Sequence, residues 1–126
     1  MIQKFVELGE GYADLYEMFE LIKRMPDRLE KFTAIHSMQK DGEVVSLAIV
    51  MKPGSFGDFQ PIYIALEGLS SSNLNQSKRY QMFEQLAKDS NHTINHLTVK
   101  PSHTFHERTL YYQYLIGIFR MNRFIS

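Results

Sequence analysis

The sequence predicts an α+β fold, in which a mixed or antiparallel sheet of about five strands carries three packed helices. Three observations lead to this prediction. Hydrophobic residues make up 44% and charged residues 22% of the 126 residues, which is the mixture of an ordinary globular protein. Some segments alternate apolar and polar residues, whereas others repeat apolar residues at helical spacing. Three consecutive strand-like segments have short connections, which favours antiparallel pairing. We expect a single domain, 1–126, because this length fits one packed core.

The first half of the chain predicts the order β-α-β-β. Residues 2–8 alternate loosely as a strand does, and residues 12–25 repeat apolar residues at helical spacing until Pro26 stops the helix. Residues 31–39 and 43–51 flank the segment Lys40-Asp41-Gly42. Asp-Gly between two alternating segments predicts the type I′ turn of a hairpin. This turn needs positive φ at both central residues. We expect the second strand of the hairpin to be central, because it is apolar on both faces.

The second half predicts the order β-α-β-α. Residues 59–66 indicate a strand, and residues 68–76 indicate a polar surface loop. A helix over 77–90 and a strand over 93–99 follow. Thr104 and Glu107 have the spacing of a capping box, so we expect the last helix to begin at Thr104 and to run to about residue 123.

Composition excludes several classes of function. Lys and Arg number 14 and Asp and Glu number 14, so a net charge of zero gives no general attraction to nucleic acid. The absence of cysteine excludes disulfides, thiolate metal ligands and a cysteine nucleophile, and it fits a reducing compartment. The N-terminus lacks the apolar region of a signal peptide, and no uncharged apolar run has the length of a membrane helix. We therefore expect a cytoplasmic protein with no membrane partner and no nucleic-acid partner.

Four of the five histidines cluster between positions 92 and 106. His92 and His96 would share one face of a strand, and His103 and His106 would share one side near the start of a helix. With Glu107 they could form a nitrogen and oxygen site for zinc or a similar divalent ion. Their spacing matches no established zinc motif, and histidines are common on half-exposed surfaces. We therefore expect no bound metal and no cofactor.

No catalytic motif is present. Gly9-x-Gly11 lies where a phosphate-binding turn would lie, but it lacks the remaining residues of a nucleotide-binding motif, so we interpret it as a turn. Acid–base chemistry needs paired groups in a cleft. Four glutamates on separate elements would meet only if folding brings them together: Glu17, Glu20, Glu43 and Glu67. We therefore assign no catalytic residue.

The last helix is the most unusual segment, because apolar and aromatic residues cover most of its circumference. Such a helix is either buried all round or shared with a partner. A small domain cannot easily surround a helix, and tyrosine, phenylalanine, methionine and arginine are enriched at interfaces. We predict a homodimer whose interface includes Tyr111, Tyr112, Leu115, Ile118 and Phe119. The alternative is a buried core helix.

Without its first strand, the element order α-β-β-β-α-β resembles the core of the restriction-endonuclease-like nucleases. That resemblance implies an aspartate on the second core strand and Asp/Glu-x-Lys on the third. Here the second core strand, VVSLAIVM, has no acid, and the third ends in Glu67-Gly68-Leu69, with leucine where the nucleases have lysine. The resemblance therefore implies a fold and no function.

The segments MIQKFVELGEGYADLYE and LYYQYLIGIFRMNRFI resemble a small family of uncharacterised Bacillus-type proteins, the group called YugN-like. This resemblance implies a bacterial cytosolic protein of unknown activity, and it transfers no functional residues. We expect a non-enzymatic interaction or accessory protein that acts as a homodimer. A metal-dependent hydrolase or degenerate nuclease-like enzyme is one alternative, and a small-ligand-binding protein is another.

Overall fold

The structure is a computed structural model that describes residues 2–8, 13–65 and 68–125. Its strands and helices are β1 (Gln3–Glu7), α1 (Ala13–Arg24), β2 (Leu29–Gln39), β3 (Gly42–Met51), β4 (Gln60–Ile64), β5 (Leu69–Ser70), α2 (Lys78–Asp89), β6 (Ile94–Val99) and α3 (Arg108–Met121). Short 3-10 helices lie at Pro26–Arg28, Ser71–Gln76 and Ser102–Thr104. The expected α+β class is confirmed. The short β5 and the second 3-10 helix occupy a segment that we predicted to be a loop.

The strands form one mixed sheet in the order β1-β4-β3-β2-β6, and β5 also pairs with β3. The pairs β1–β4 and β2–β6 are parallel, whereas β2–β3 and β3–β4 are antiparallel. β3 lies at the centre, and its residues from Leu47 to Met51 have no exposed surface. The prediction of a central strand that is covered on both faces is therefore confirmed.

The predicted β2–β3 hairpin is also confirmed, but its turn lies one residue earlier than expected. Gln39 pairs with Gly42, so Lys40 and Asp41 are the central residues of the turn. Asp41 is not among the non-glycine residues with positive φ, so the predicted type I′ turn is wrong. Gly42 has a φ of 125° and directly follows the turn, where a left-handed conformation favours glycine.

Each face of the sheet carries its own apolar core. The helices α1 and α2 cover one face, and their buried side chains pack against Phe32, Leu47 and Ile49. The helix α3 packs on the other face with side chains four residues apart, Tyr111, Leu115 and Phe119. These side chains pack against a group of strand residues, Ile35, Ala48, Val50, Ile62 and Ile64. The last helix is therefore a core element of the chain.

The beginning of α3 differs from the prediction. The Thr104 hydroxyl donates to the Pro101 carbonyl oxygen at 2.8 Å and closes the 3-10 turn before the helix. Phe105 is extended, with φ −103° and ψ 140°, so α3 begins at Arg108 with Glu107 at its N-cap position. The predicted capping box is wrong, because the Thr104 hydroxyl bonds backward along the chain and does not cap a helix.

Polar contacts fix the first two turns of α3 to the end of β1. The Tyr112 hydroxyl donates to Oε1 of Glu7 at 2.6 Å, and Arg108 Nη1 lies 3.1 Å from both carboxylate oxygens. The Tyr112 ring stacks on Phe5, with 4.7 Å between the ring centroids. Burial and the Glu7 carboxylate raise the pKa of Tyr112, so its hydroxyl remains a donor.

Candidate functional site

A group of polar side chains lies next to the apolar core, at the end of β2 that leads into the β2–β3 hairpin. Alternation along the strand puts His36 on the same face as Phe32 and Ala34, the face that α1 and α2 cover. The His36 side chain is 16% exposed, so its polar atoms require partners.

Five side chains are joined in series by hydrogen bonds, and we term this group the histidine relay: Ser71, Glu43, His36, His96 and Tyr80. His36 Nδ1 lies 2.9 Å from Oε1 of Glu43, and His36 Nε2 lies 2.8 Å from Nδ1 of His96. At one end, His96 Nε2 lies 3.4 Å from the Tyr80 hydroxyl. At the other end, the Ser71 hydroxyl donates to Oε1 of Glu43 at 2.6 Å.

The sheet register explains why these residues meet. Glu43 pairs with Met38 in the antiparallel β2–β3 ladder, so its side chain lies diagonally across from His36. In the parallel β2–β6 ladder His96 pairs with Ala34, again diagonally across from His36. The Ser77 side chain accepts the Tyr80 N–H and begins α2, so Tyr80 lies in the first turn of that helix.

The partners determine which nitrogen of each histidine carries the proton. An ionised Glu43 can only accept, so His36 donates from Nδ1, and in the neutral form of the ring Nε2 is the acceptor. When His36 is neutral, His96 therefore donates from Nδ1, which leaves its Nε2 to accept from the Tyr80 hydroxyl. The two rings face each other edge to edge through these nitrogens, with 5.1 Å between the ring centroids, as expected for two nitrogens that share one proton.

The electrostatics of the site support this assignment. Hydrogen bonds from Ser71 and then His36 lower the pKa of Glu43. Burial, with a smaller effect from the charge of His36, lowers the pKa of His96, while Glu84 opposes this shift. Glu43 is therefore ionised and His96 is neutral at neutral pH. Because one of the two facing nitrogens must accept, the hydrogen bond between the rings is compatible with at most one added proton on the pair.

A cleft of about 250 Å³ opens beside His96. Its lining residues come from α2 and from the segment that leads into β6: Tyr80, Glu84, Ala87, Lys88, His92, Thr93, Ile94 and His96. His92 Nδ1 lies 2.9 Å from the Ser90 carbonyl oxygen and donates to it, so the neutral His92 ring offers Nε2 as an acceptor. The cleft thus combines titratable side chains with an apolar wall.

Several other clefts among the described residues are larger, and two of them have volumes of about 620 and 770 Å³. The first is lined by Leu8, Tyr16, Glu17, Glu20, Leu21, Arg24 and Tyr63. The second is lined by Ile2, Pro53, Ser55, Phe56, Gly57, Asp58 and Phe59. Neither lining includes a histidine. We favour the smaller cleft as the functional site, because linked titratable groups indicate chemistry more directly than volume does.

The four histidines predicted from the sequence do not form one group. His92 and His96 line the cleft, whereas His103 lies in the last 3-10 helix and His106 precedes α3, and both of these are exposed. Across residues 2–8, 13–65 and 68–125, no three His, Cys, Asp or Glu side chains are arranged to hold a metal ion. The absence of a bound metal stays a prediction. The partner of His96 is His36, which we did not select from the sequence.

The remaining predicted groups have separate positions. Glu17 and Glu20 line the cleft beside α1, while Glu43 belongs to the histidine relay. Glu67 and the Gly9-x-Gly11 turn lie outside the described residues.

The predicted interface residues of α3 lie mostly inside the chain. Tyr111, Leu115 and Phe119 are buried against the sheet, and Tyr112 and Ile118 are half-buried beside them. The use of α3 between two chains stays a prediction. No helix in the described part of the chain is both long and apolar enough to cross a membrane.

Comparison with known proteins identifies a family without a known activity. A family model described as a domain of unknown function, DUF7147, matches residues 1–125. No curated protein and no solved structure matches the chain. The family match agrees with the expected small uncharacterised family, but it supports neither the YugN-like name nor a nuclease-like core. The chain belongs to the DUF7147 family.

Proposed function

We propose that this protein binds a small polar molecule in the cleft beside His96 and exchanges a proton with it there. The histidine relay carries this proposal, because it links a group at the cleft to an ionised carboxylate through two imidazoles. Paired and oriented titratable groups in a cleft are the arrangement that general acid–base chemistry needs.

The roles of the residues follow from their hydrogen bonds. The 3.4 Å contact of His96 Nε2 with Tyr80 is long, so a ligand atom can replace the hydroxyl at this nitrogen. When Nε2 takes a proton from the ligand, the Nδ1 proton of His96 passes to Nε2 of His36. The His36 imidazolium then faces the Glu43 carboxylate at 2.9 Å. His96 is the proposed proton-transfer residue, and His36 and Glu43 are positioning residues.

A fragment screen monitored by NMR tests the proposal. We expect small polar fragments to shift the backbone signals of Ala87 and Ile94, which line the cleft. The shifts should disappear in His96→Gln and persist in His103→Gln, a matched control at an exposed histidine outside the cleft. Fragments that bind only beside Leu21, in the larger cleft at α1, would contradict the proposal.

A second candidate function is that of a homodimeric interaction or accessory protein, and the outer side of α3 favours it. Leu110, Tyr114, Gly117 and Met121 follow spacings of four, three and four, which form one stripe along a helix. Leu110 is 44% exposed and Met121 is 81% exposed. A Cβ added at Gly117 would meet nothing within 4 Å, so a second helix has room to approach closely there.

Sedimentation equilibrium tests this second candidate. We expect a two-fold dimer that dissociates in Met121→Glu and persists in Met38→Glu, a matched methionine that is 63% exposed on β2. A single species near 14.8 kDa without concentration dependence would refute it. Phe119→Glu is unsuitable for this test, because Phe119 is fully buried and a charge there would unfold the chain.

We also propose a cytoplasmic location with no nucleic-acid or membrane partner. The absence of cysteine and a net charge of zero support this part of the proposal. Fractionation of cells that express the tagged full chain tests it, and recovery with membranes or with nucleic acid would contradict it.

A further inference from the structure

We infer that the ligand of this cleft is a small carboxylate anion that is bound together with one proton. This inference rests on the proposed function and names the class of molecule that the same site takes. The charged and titratable groups that face the site come from every element around it: Tyr80, Glu84 and Lys88 of α2, His36 of β2, Glu43 of β3, Ser71 of the 3-10 helix, and His92 and His96 beside and on β6.

Without an added proton, the site offers a ligand mainly acceptors. Tyr80 donates its hydroxyl proton to Nε2 of His96, so this proton is not available to a ligand. In its neutral form His92 also presents Nε2 as an acceptor, because its Nδ1 donates to a backbone carbonyl. Glu84 adds a carboxylate at the rim, and Lys88 is the one cation among the lining residues. An anion therefore finds a single charged donor in this state.

One added proton reverses the direction of the relay. His36 then donates from Nε2 to Nδ1 of His96, and His96 donates from its own Nε2. That N–H points either to the ligand or to the Tyr80 oxygen, and in the second case the Tyr80 hydroxyl donates into the cleft. The relay changes from a net charge of −1 on Glu43 to zero. Protonation thus adds a donor at the relay end of the cleft and removes a negative charge.

The two donors suit the two oxygens of a carboxylate. One oxygen would accept from His96 or Tyr80, and the other would accept from the ammonium group of Lys88. The volume of about 250 Å³ restricts the ligand to a small molecule, and Ala87 and Ile94 provide an apolar wall for a short alkyl group. Glu84 repels a dianion such as phosphate more strongly than a monoanion, which favours a carboxylate.

Isothermal titration with acetate tests the inference. Titrations at the same pH in two buffers with different ionisation enthalpies give the number of protons taken up. We expect uptake of close to one proton near neutral pH, and an acetate affinity that falls about tenfold for each pH unit above the midpoint of the histidine pair. Acetamide, a neutral molecule of the same shape, should bind without proton uptake. Acetate binding in His103→Gln should match that of the unaltered protein.

The variants separate the contributions of the groups. His36→Gln should shift the midpoint of the pH-dependent acetate affinity upward while the chain stays folded, because His96 then takes up a proton without a like charge beside it. Glu84→Gln should strengthen acetate binding by several-fold, because it removes the like charge at the rim. An acetate affinity that does not change with pH would overturn the inference but leave the proposed function intact. Tighter binding of inorganic phosphate than of acetate would do the same. If neither acetate nor any other fragment shifts the signals of the cleft, both fail.

Discussion

Leu115 provides the sharpest test of how α3 stabilises the fold. It lies in the middle of α3, has no exposed surface, and packs against the sheet face that α3 covers. Leu115→Ala should cost about 2–5 kcal/mol, because it removes buried methyl groups and leaves a cavity between α3 and the sheet. A native domain has a total stability of only about 5–15 kcal/mol. The loss should therefore lower the urea midpoint by roughly 1–2.5 M, given a dependence of about 2 kcal/mol per M, the middle of the usual range.

The control lies on the same helix. Met121 is 81% exposed, so Met121→Ala should change the free energy of unfolding by less than about 0.5 kcal/mol. Urea unfolding of both variants, followed by circular dichroism at several protein concentrations, makes the comparison. A loss at Leu115 below about 1 kcal/mol, or one that appears only at low protein concentration, would refute the assignment of α3 to the core of one chain.

Three further predictions address the turn, the tyrosines and the relay. Gly42→Val should cost about 1 kcal/mol or more in urea unfolding, because the φ of 125° strains a β-branched residue even though space is open around it. Burial raises the pKa of Tyr111 to about 12, and burial with Glu7 raises that of Tyr112. The unfolded chain therefore releases these protons first, and stability should fall as the pH rises above about 10. Tyr112→Phe should make this fall shallower in urea midpoints measured across that range. His36→Gln should raise the pKa of His96 by removing a like charge, which an NMR titration of the imidazole measures, and a lower value would contradict the electrostatic reasoning.

Local sequence patterns predicted those parts of the fold that depend on neighbouring residues. The β2–β3 hairpin follows from a short turn between two alternating segments, and the central position of β3 follows from apolar residues on both of its faces. The start of α3 was predicted wrongly, because the Thr104 hydroxyl can bond either to a helix ahead or to the carbonyl of Pro101 behind it. The two-residue strand β5 is too short to produce a period.

The candidate site was only partly predictable. His96 was selected from a cluster along the sequence, but its partner His36 lies 60 residues away, and the two meet only because β2 and β6 pair in parallel. Periodicity does not reveal which distant strands pair. The position of His36 in the apolar row of β2, two residues after Ala34, was the available signal. For α3, apolar residues on most sides left core and interface equally consistent with the sequence.

The protonation of individual nitrogens tests the histidine relay most directly. Two-dimensional NMR that correlates imidazole carbon-bound protons with ring nitrogens distinguishes the two tautomers of each histidine. Above the pH at which the pair titrates, His36 and His96 should both carry the proton on Nδ1, with Nε2 unprotonated, and on acidification they should take up one proton together. A neutral His36 or His96 with its proton on Nε2, or two histidines that titrate independently, would contradict the relay.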